Sequence, residues 1–517
     1  VDAAGAPVSA RLFAPVAGLR TFARRAAALL GVLLAALATS AHVGTNDAFF
    51  DGLAGPYAVR VAVRPPGVIP GQAQITVRVL QGDARRVQVQ AAQWNVGTRG
   101  APAPDDAAPV EGERGMWAAQ LWLMTSGSYM VNVTVDGAQG RGTATVPVLA
   151  VATARLGMQR WMGGLLVVLG GLLVAGLITL IGAAAREASL PPGERPDRRR
   201  RLAGRIAASG AAGVAALFLL GGSRWWDAVD RAYARGMYRP LASEATVRWS
   251  GGGARTLRFV VTDTSWMNGR MTPLIPDHGK LMHLFAVRDS SLDAFAHLHP
   301  ARLDSATFEV AFPPLPTGRY RVYADVVHES GFARTLVATA DVANGPKPAA
   351  LAGATGDDAW LIGPVGAAAS RASAVGDGLT VAWDSAGALT AGAETTLRFT
   401  VRDSAGRVAT LEPYMGMAGH AMVMRDDGSV FVHLHPMGSI SVAAQQRMLR
   451  RERGDTMPHG ERQPAGAGDH ASHAGDVAFP GTLGFPFAFP KPGRYRVWVQ
   501  VKQGGAVRTA AFDTTVR

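Results

Sequence analysis

His420-Ala-Met-Val-Met-Arg-Asp-Asp-Gly-Ser-Val-Phe-Val-His-Leu-His-Pro436 decides how this chain is read. Asp427-Gly428 is a strong two-residue hairpin turn, because such turns need positive φ at both central positions and this dipeptide tolerates it. Asp426 then pairs with Ser429, and the ladder running back from the turn sets His420 opposite His435 and Met422 opposite His433. Side chains alternate along a strand, so all four share one face. Directly opposed Cβ atoms lie roughly 4.5–5.5 Å apart, close enough for facing imidazoles to share a metal ion.

The same frame occurs earlier. His283-Leu-Phe-Ala-Val-Arg-Asp289 parallels His420-Ala-Met-Val-Met-Arg-Asp426, and His297-Leu-His-Pro300 repeats His433-Leu-His-Pro436. A three-residue loop, Ser290 to Leu292, places His283 opposite His299 and Phe285 opposite His297. With His283 laid on His420, Pro276-Asp-His278-Gly279 aligns with Pro413-Tyr-Met415-Gly416, which makes His278 and Met415 equivalent candidates for a fourth ligand. The expected ligand sets are therefore His278, His283, His297 and His299 in one domain, and Met415, Met417, His420, Met422, His433 and His435 in the next. The first, all nitrogen, suits Cu(II) or Zn(II); the second, with thioethers and with Met424 and Met437 nearby, suits Cu(I). Ser439 to Asp476, an insertion carrying Met448, Met457, His459, His470 and His473, reads as a mobile loop that collects or hands over metal. The competing reading is that a His-x-His pair faces solvent or stacks on Phe and Tyr while Met fills core. Recurrence of the motif, and two different turns converging on one histidine face, favour metal.

Outward from the histidines, short period-two strands are punctuated by Gly and Pro. Tyr57–Arg64, Ile75–Val79, Val87–Ala91, Trp117–Trp122 and Tyr129–Val135 predict a first antiparallel sandwich of the immunoglobulin-like type. Gly127-Ser-Tyr129-Met-Val131 returns as Gly318-Arg-Tyr320-Arg-Val322 and Gly493-Arg-Tyr495-Arg-Val497, each Tyr placed to reach backbone at a sandwich corner. The fold class expected is mainly β: three immunoglobulin-like β-sandwich domains plus transmembrane helices. Their spans are 42–157, 240–344 and 376–517, with a linker over 345–375 that holds one short ordered patch at Trp360-Leu-Ile362.

Cysteine is absent from the 517 residues, which removes disulfides, thiolate zinc sites and any electron-transfer copper that depends on a Cys ligand. The net charge of +13 is the excess of 52 basic over 39 acidic residues. Much of it flanks apolar segments, and no nucleic-acid motif accompanies it, so nucleic acid is not an expected partner. Trp161–Ala185 and Ile206–Ser223 are each long enough to span a bilayer and hold no charge. They predict a helical hairpin over 158–224, and Gly163, Gly164, Gly170 and Gly171 suggest close helix packing. Its arginine-rich loop belongs in the cytoplasm by the positive-inside rule. The sandwiches then face the periplasm or exterior, on an inner-membrane protein. Residues 1–41, with apolar Ala26–Ala41, read as a signal or anchor segment; cleavage after Ala41 would make His42 an N-terminal copper chelator.

Asp47-Ala-Phe-Phe50, Gly55-Pro56-Tyr57, Arg64-Pro-Pro-Gly-Val-Ile-Pro70, Met282-His-Leu-Phe285, Tyr414-Met-Gly-Met417 and the two His-Leu-His-Pro frames carry a family resemblance over most of the chain. The chain resembles bacterial membrane-anchored proteins with FixH/YtkA-like sandwich domains, and more loosely the CopC-like periplasmic copper carriers. The resemblance implies the sandwich architecture. No His-Glu-x-x-His helix, nucleophile elbow or phosphate loop is present, so a non-enzymatic role is expected. That role is copper (or zinc) binding for buffering or relay towards a copper-receiving protein or a membrane-protein complex. The alternative is a scaffold or accessory subunit whose sandwiches dock such a complex.

Overall fold

The computed structural model describes residues 46–191, 193–249, 254–268, 271–345, 356–363, 371–384, 387–455 and 478–517. Ala26–Ala41, His42, Met457, His459, His470 and His473 lie outside the described residues.

The chain is mainly β, and the sheets are antiparallel. In the first domain one sheet orders Ala48–Ala54, Tyr57–Arg64, Gly71–Gln81 and Met116–Leu123, with Ala108–Pro109 at its edge, and the other centres on Ala84–Gln93, Gly127–Gly137 and Gly140–Ala150. Alternation explains the pairing. Val59, Val61 and Val63 from one sheet meet Val87, Val89, Val131, Val133 and Val135 from the other in a single core, while Arg60, Gln88 and Gln90 remain partly exposed. The expected corner is present three times: Tyr129, Tyr320 and Tyr495 donate their hydroxyls to the carbonyls of Thr125 (3.2 Å), Pro316 (2.7 Å) and Lys491 (2.7 Å), each four residues upstream.

The second and third domains share a plan. In the second, a sheet containing Ser243–Trp249, Arg255–Val261 and Thr307–Ala311 covers one face of a six-stranded sheet built around His283–Arg288, Ala294–Leu298 and Gly318–His328. In the third, Thr380–Trp383, Glu394–Arg402 and Thr482–Ala488 cover Phe431–Leu434, His420–Arg425, Gly493–Gln503 and Ala506–Val516. The linker patch is a strand, Ala359–Ile362, which pairs with Ala294–Leu298 and covers that sheet edge.

The two histidine-bearing sheets then pack against each other. Leu284, Ala286, Ala296 and Leu298 point into the second domain's core, and Ala421, Val423 and Leu434 into the third's. The opposite faces, Phe285, Val287, Phe295 and Tyr323 on one side and Met422, Met424, Phe431 and Trp498 on the other, form a cluster of their own. Phe295 stacks on Trp498 at 4.8 Å and Tyr323 on Phe431 at 4.2 Å. Each such side chain, fully buried, contributes roughly 1.5–3 kcal/mol to holding the layers together. The Arg496 guanidinium, paired with Asp513, donates across the interface to the Leu292 carbonyl at 2.7 Å. Four sheet layers result, and the middle gap is where the histidines lie.

The insertion reads differently from expectation. Val442–Glu452 is a helix rather than a mobile loop, started by the Ser441 hydroxyl, which accepts from the Ala444 amide at 3.1 Å. It wedges between all three domains. The Arg447 guanidinium meets Glu329 at 3.0 Å, the Gln445 amide donates to the Thr145 carbonyl at 2.6 Å, and Met448 packs with Ala92 and Met130.

Two helices, Arg160–Glu187 and Arg198–Gly236, are long and apolar enough to cross a membrane, with mean hydropathy 2.7 and 1.7 over their best windows. At 1.5 Å per residue the first is roughly 42 Å long, more than the ≈ 30 Å hydrocarbon core. Asp197 begins the second by accepting from the Arg200 amide at 2.8 Å. Their close contact is at Gly182 and Gly204, where an added Cβ would lie 3.2 and 2.8 Å from the facing carbonyl oxygens. The packing expected at Gly163, Gly164, Gly170 and Gly171 is not formed: nothing on the other helix approaches them. Beyond its apolar part the second helix continues to the first domain, where Tyr238 donates its amide to the Ala152 carbonyl at 2.8 Å and Arg155 pairs with Asp230 at 3.1 Å.

Candidate metal centre

Both hairpin registers are the ones expected, although the third-domain turn is built differently: the Gly428 amide donates to the Arg425 carbonyl at 2.8 Å and, of the turn residues, only Gly428 has positive φ, so Asp426 and Asp427 are its central residues. Met422 faces His433 and Ala421 faces Leu434; Phe285 faces His297 and Leu284 faces Leu298. His283 and His299 flank one ladder, and His420 and His435 the other. The equivalence of the preceding loops also holds in the backbone: His278 (φ 50) and Gly279 (φ 78) match Met415 (φ 51) and Gly416 (φ 81), each pair closing a tight turn.

The expectation of two separate sites, one per domain, is not what the sheets build. Because the histidine faces are the docked faces, His278, His283, His297, His299, His420, His433 and His435 gather in one buried cluster. His283, His297 and His299 form one triad and His278, His420 and His435 another, with one ligand atom per residue lying within 4.8 Å of the others in each triad. His278 of the second domain thus completes a triad of the third. His433 sits between them, its ring centroid 5.4 Å from His283, 5.6 Å from His297, 5.3 Å from His420 and 4.6 Å from His435.

The outer ring nitrogens are occupied by acceptors. His283 Nε2 donates to the Asp277 carbonyl (3.1 Å), His297 Nδ1 to Gln500 Oε1 (2.8 Å), His299 Nδ1 to the Asp358 carboxylate (2.7 Å) and His435 Nδ1 to the Ile440 carbonyl (3.2 Å). Gln500 is itself oriented by its Nε2 donating to Thr509 at 3.0 Å. These partners assign the tautomers, and they leave the inner nitrogens as lone pairs. Inside, the Nε2 atoms of His278, His299, His433 and His435 and both nitrogens of His420 are buried without a hydrogen-bond partner. His283 Nδ1 faces His297 Nε2 at 3.2 Å. With those tautomers both facing nitrogens carry lone pairs and do not hydrogen-bond to each other. Two nitrogens on one tetrahedral ion at ≈ 2.0–2.1 Å would stand roughly 3.3 Å apart.

The second and third domains match one family. The family model, described as a domain of unknown function (DUF8832), covers residues 242–344 and 373–517. No curated protein matches the chain. Among solved structures, an engineered protein is 24% identical over 17% of this chain and 19% of its own, with a TM-score of 0.14. A Salmonella alpha-2-macroglobulin is 9% identical over 91% of this chain and 23% of its own (TM-score 0.19). A putative membrane anchored protein from Corynebacterium diphtheriae is 9% identical over 91% and 94% (TM-score 0.14). The chain spans under a quarter of the length of the first two.

The methionines divide from the histidines. Met422 and Met424 are packing residues of the aromatic cluster between the sheets, and Met437 packs on the first domain's core, so the softer, thioether-rich third-domain site is not assembled from them. Met415 and Met417 are half-buried on the turn that corresponds to His278. Two partners went unread in the sequence. Asp358, in the linker, orients His299, while its neighbour Asp357 binds Lys280 and Lys502 and accepts the Tyr414 hydroxyl at its carbonyl (2.9 Å). Asp277 receives the Ala443 amide of the inserted helix at 3.0 Å, tying that helix to the His278 turn. His328 is buried away from the cluster, against Trp266 and the Thr272 carbonyl.

Burial pushes the His283, His297, His420 and His433 rings well below the ordinary imidazole value, and neighbouring imidazoles add to the effect. Burial takes His435 down to about 4. His299 is lowered by burial too, with Asp358 pulling the other way. The rings are therefore neutral at neutral pH, the form that binds metal. Beside them a cavity of about 170 Å³, bordered by Asp47, Asp277, His283, Asp325, His433 and His435, leads in from where the three domains meet. Burial pushes the Asp325 carboxyl up to about 7, and its oxygen lies 3.6 Å from His433 Nδ1.

Proposed function

We propose that the chain is a membrane-anchored metal-binding protein that buffers or relays copper, with its three sandwiches on the periplasmic side. The observation that carries the reading is the set of buried, inward-facing imidazole nitrogens without partners on His278, His299, His420, His433 and His435, with the His283–His297 nitrogens 3.2 Å apart beside them. Each orphaned nitrogen costs about 1–3 kcal/mol if left bare, so one cluster holding several is better explained by ligation than by packing. Outer nitrogens held by carbonyls and a carboxylate are the usual support of ligating histidines. An all-nitrogen donor set suits Cu(II) and Zn(II), and Cu(II) stands above Zn(II) in intrinsic affinity for such sites. The basic turn between the helices supports a cytoplasmic hairpin tip and sandwiches on the far side.

The alternative is an accessory subunit whose sandwiches dock a membrane complex, with the histidine face serving the packing of the second domain on the third, as the aromatic cluster beside it does without any ion. Elemental analysis of tag-free, detergent-purified protein decides between the readings. Stoichiometric copper that survives a weak competing chelator is expected; protein that takes up neither copper nor zinc contradicts metal binding and leaves the docking role.

A further inference from the structure

We propose that the seven histidines form a two-ion centre with unequal halves: one ion held by the second domain alone, the other shared across the interface. The inference rests on the metal-binding reading and adds to it a division of labour.

His283, His297 and His299 all belong to the second domain, so all three ligands are present before the third domain docks, which adds Gln500 as the acceptor behind His297. The other triad takes His278 from the second domain and His420 and His435 from the third. One ion cannot use them all. A tetrahedral site is filled by four donors, whereas seven imidazoles converge here, and the closest rings across the two triads, His278–His283 and His297–His420, have centroids 6.3 and 6.4 Å apart. His433 lies between the triads with a free buried Nε2 and can complete either.

The halves differ in consequence. An ion on the second domain's triad takes all three ligands from that domain and touches the third through the Gln500 acceptor behind His297, so it stabilises chiefly that domain. An ion on the shared triad binds only when the domains are docked, so its binding free energy becomes docking free energy. His278 is fixed for this by its left-handed turn and by Asp277, which accepts the first-turn amide of the helix Val442–Glu452. The inserted helix thereby sets the position of the one shared-triad ligand that the third domain does not supply.

The test is a Zn(II) titration of the full-length chain in detergent, with hydrogen exchange read at Phe431–Leu434. Two equivalents are expected, with exchange slowed when both are bound. His299→Gln should lose one equivalent and keep the slowing. His278→Asn, which suits the left-handed turn, should lose one equivalent and the slowing, and His435→Gln should behave likewise. One equivalent abolished by both His299→Gln and His278→Asn would overturn the two-ion centre while leaving metal binding intact. Equal loss of slowing in His299→Gln and His278→Asn would overturn the division between the halves. No uptake by the parent chain would instead remove the metal-binding reading itself.

Discussion

Asn132, Tyr323 and Trp498 occupy the same place, three residues beyond the corner tyrosine of their own domain, yet Asn132 is half-buried and hydrogen-bonded to Thr145 while the two aromatics are 1% exposed. In the first domain one face of that sheet stays polar. In the other two the same face is apolar and docked. The difference teaches where the site comes from: a sandwich needs only one buried face per sheet, and the histidines lie where a second face was also withdrawn from water.

The comparison can be broken most forcefully at the aromatic cluster. Trp498→Ala should cost about 3–5 kcal/mol and open the second–third interface, while Asn132→Ala should cost about 1 kcal/mol; thermal unfolding of the two variants measures both. Equal losses would mean the outer faces are energetically alike. Metal comes next. At free ion a hundredfold above Kd, a single site stabilises the folded form by about 2.7 kcal/mol. That shift should appear in the parent chain and shrink in His299→Gln.

Acidification sharpens the contrast further. The cluster's histidines have folded-state values depressed below 6.5, so the stability they contribute is complete above about pH 6.5 and is lost as pH falls towards about 4, the value of His435. Asp325 runs the other way: held near 7 when folded, it favours the folded state at low pH and loses that contribution as pH rises from about 3.8 to about 7. The several rings outweigh the one carboxyl. Metal-free protein should therefore loosen at the second–third interface between pH 6.5 and 4, with first-domain amides unaffected, as hydrogen exchange would report. A change behind the ligands acts at Asp358: Asp358→Asn keeps the geometry but weakens the acceptor for His299, and metal affinity should drop about 10–100-fold in a chelator competition.

Much of this was legible from local chemistry. Both registers were legible, although the third-domain hairpin turns at Asp426-Asp427 with Gly428 following rather than at Asp427-Gly428, and the likeness of the His278 and Met415 turns followed from aligning the strands. The docking was not read, although a signal was present. His283-Leu-Phe-Ala-Val and His420-Ala-Met-Val-Met lack the apolar–polar alternation of Tyr57–Arg64, and both are buried without interruption. Strands apolar on both sides belong between two layers, which would have given Met422 to the packing and joined the two ligand sets. The inserted helix had its Ser441 cap and Arg450-Arg451 in its last turn, but its sparse apolar face looked like loop because it is read only against three domains at once.

X-ray absorption of the copper-loaded, tag-free chain tests the central claim most directly. The account predicts a first shell of nitrogen alone with imidazole outer-shell scattering, and about half of the bound copper lost when His283 and His297 are replaced together, the shared triad keeping its own. A shell containing sulfur, or an undiminished copper content in that variant, would contradict it.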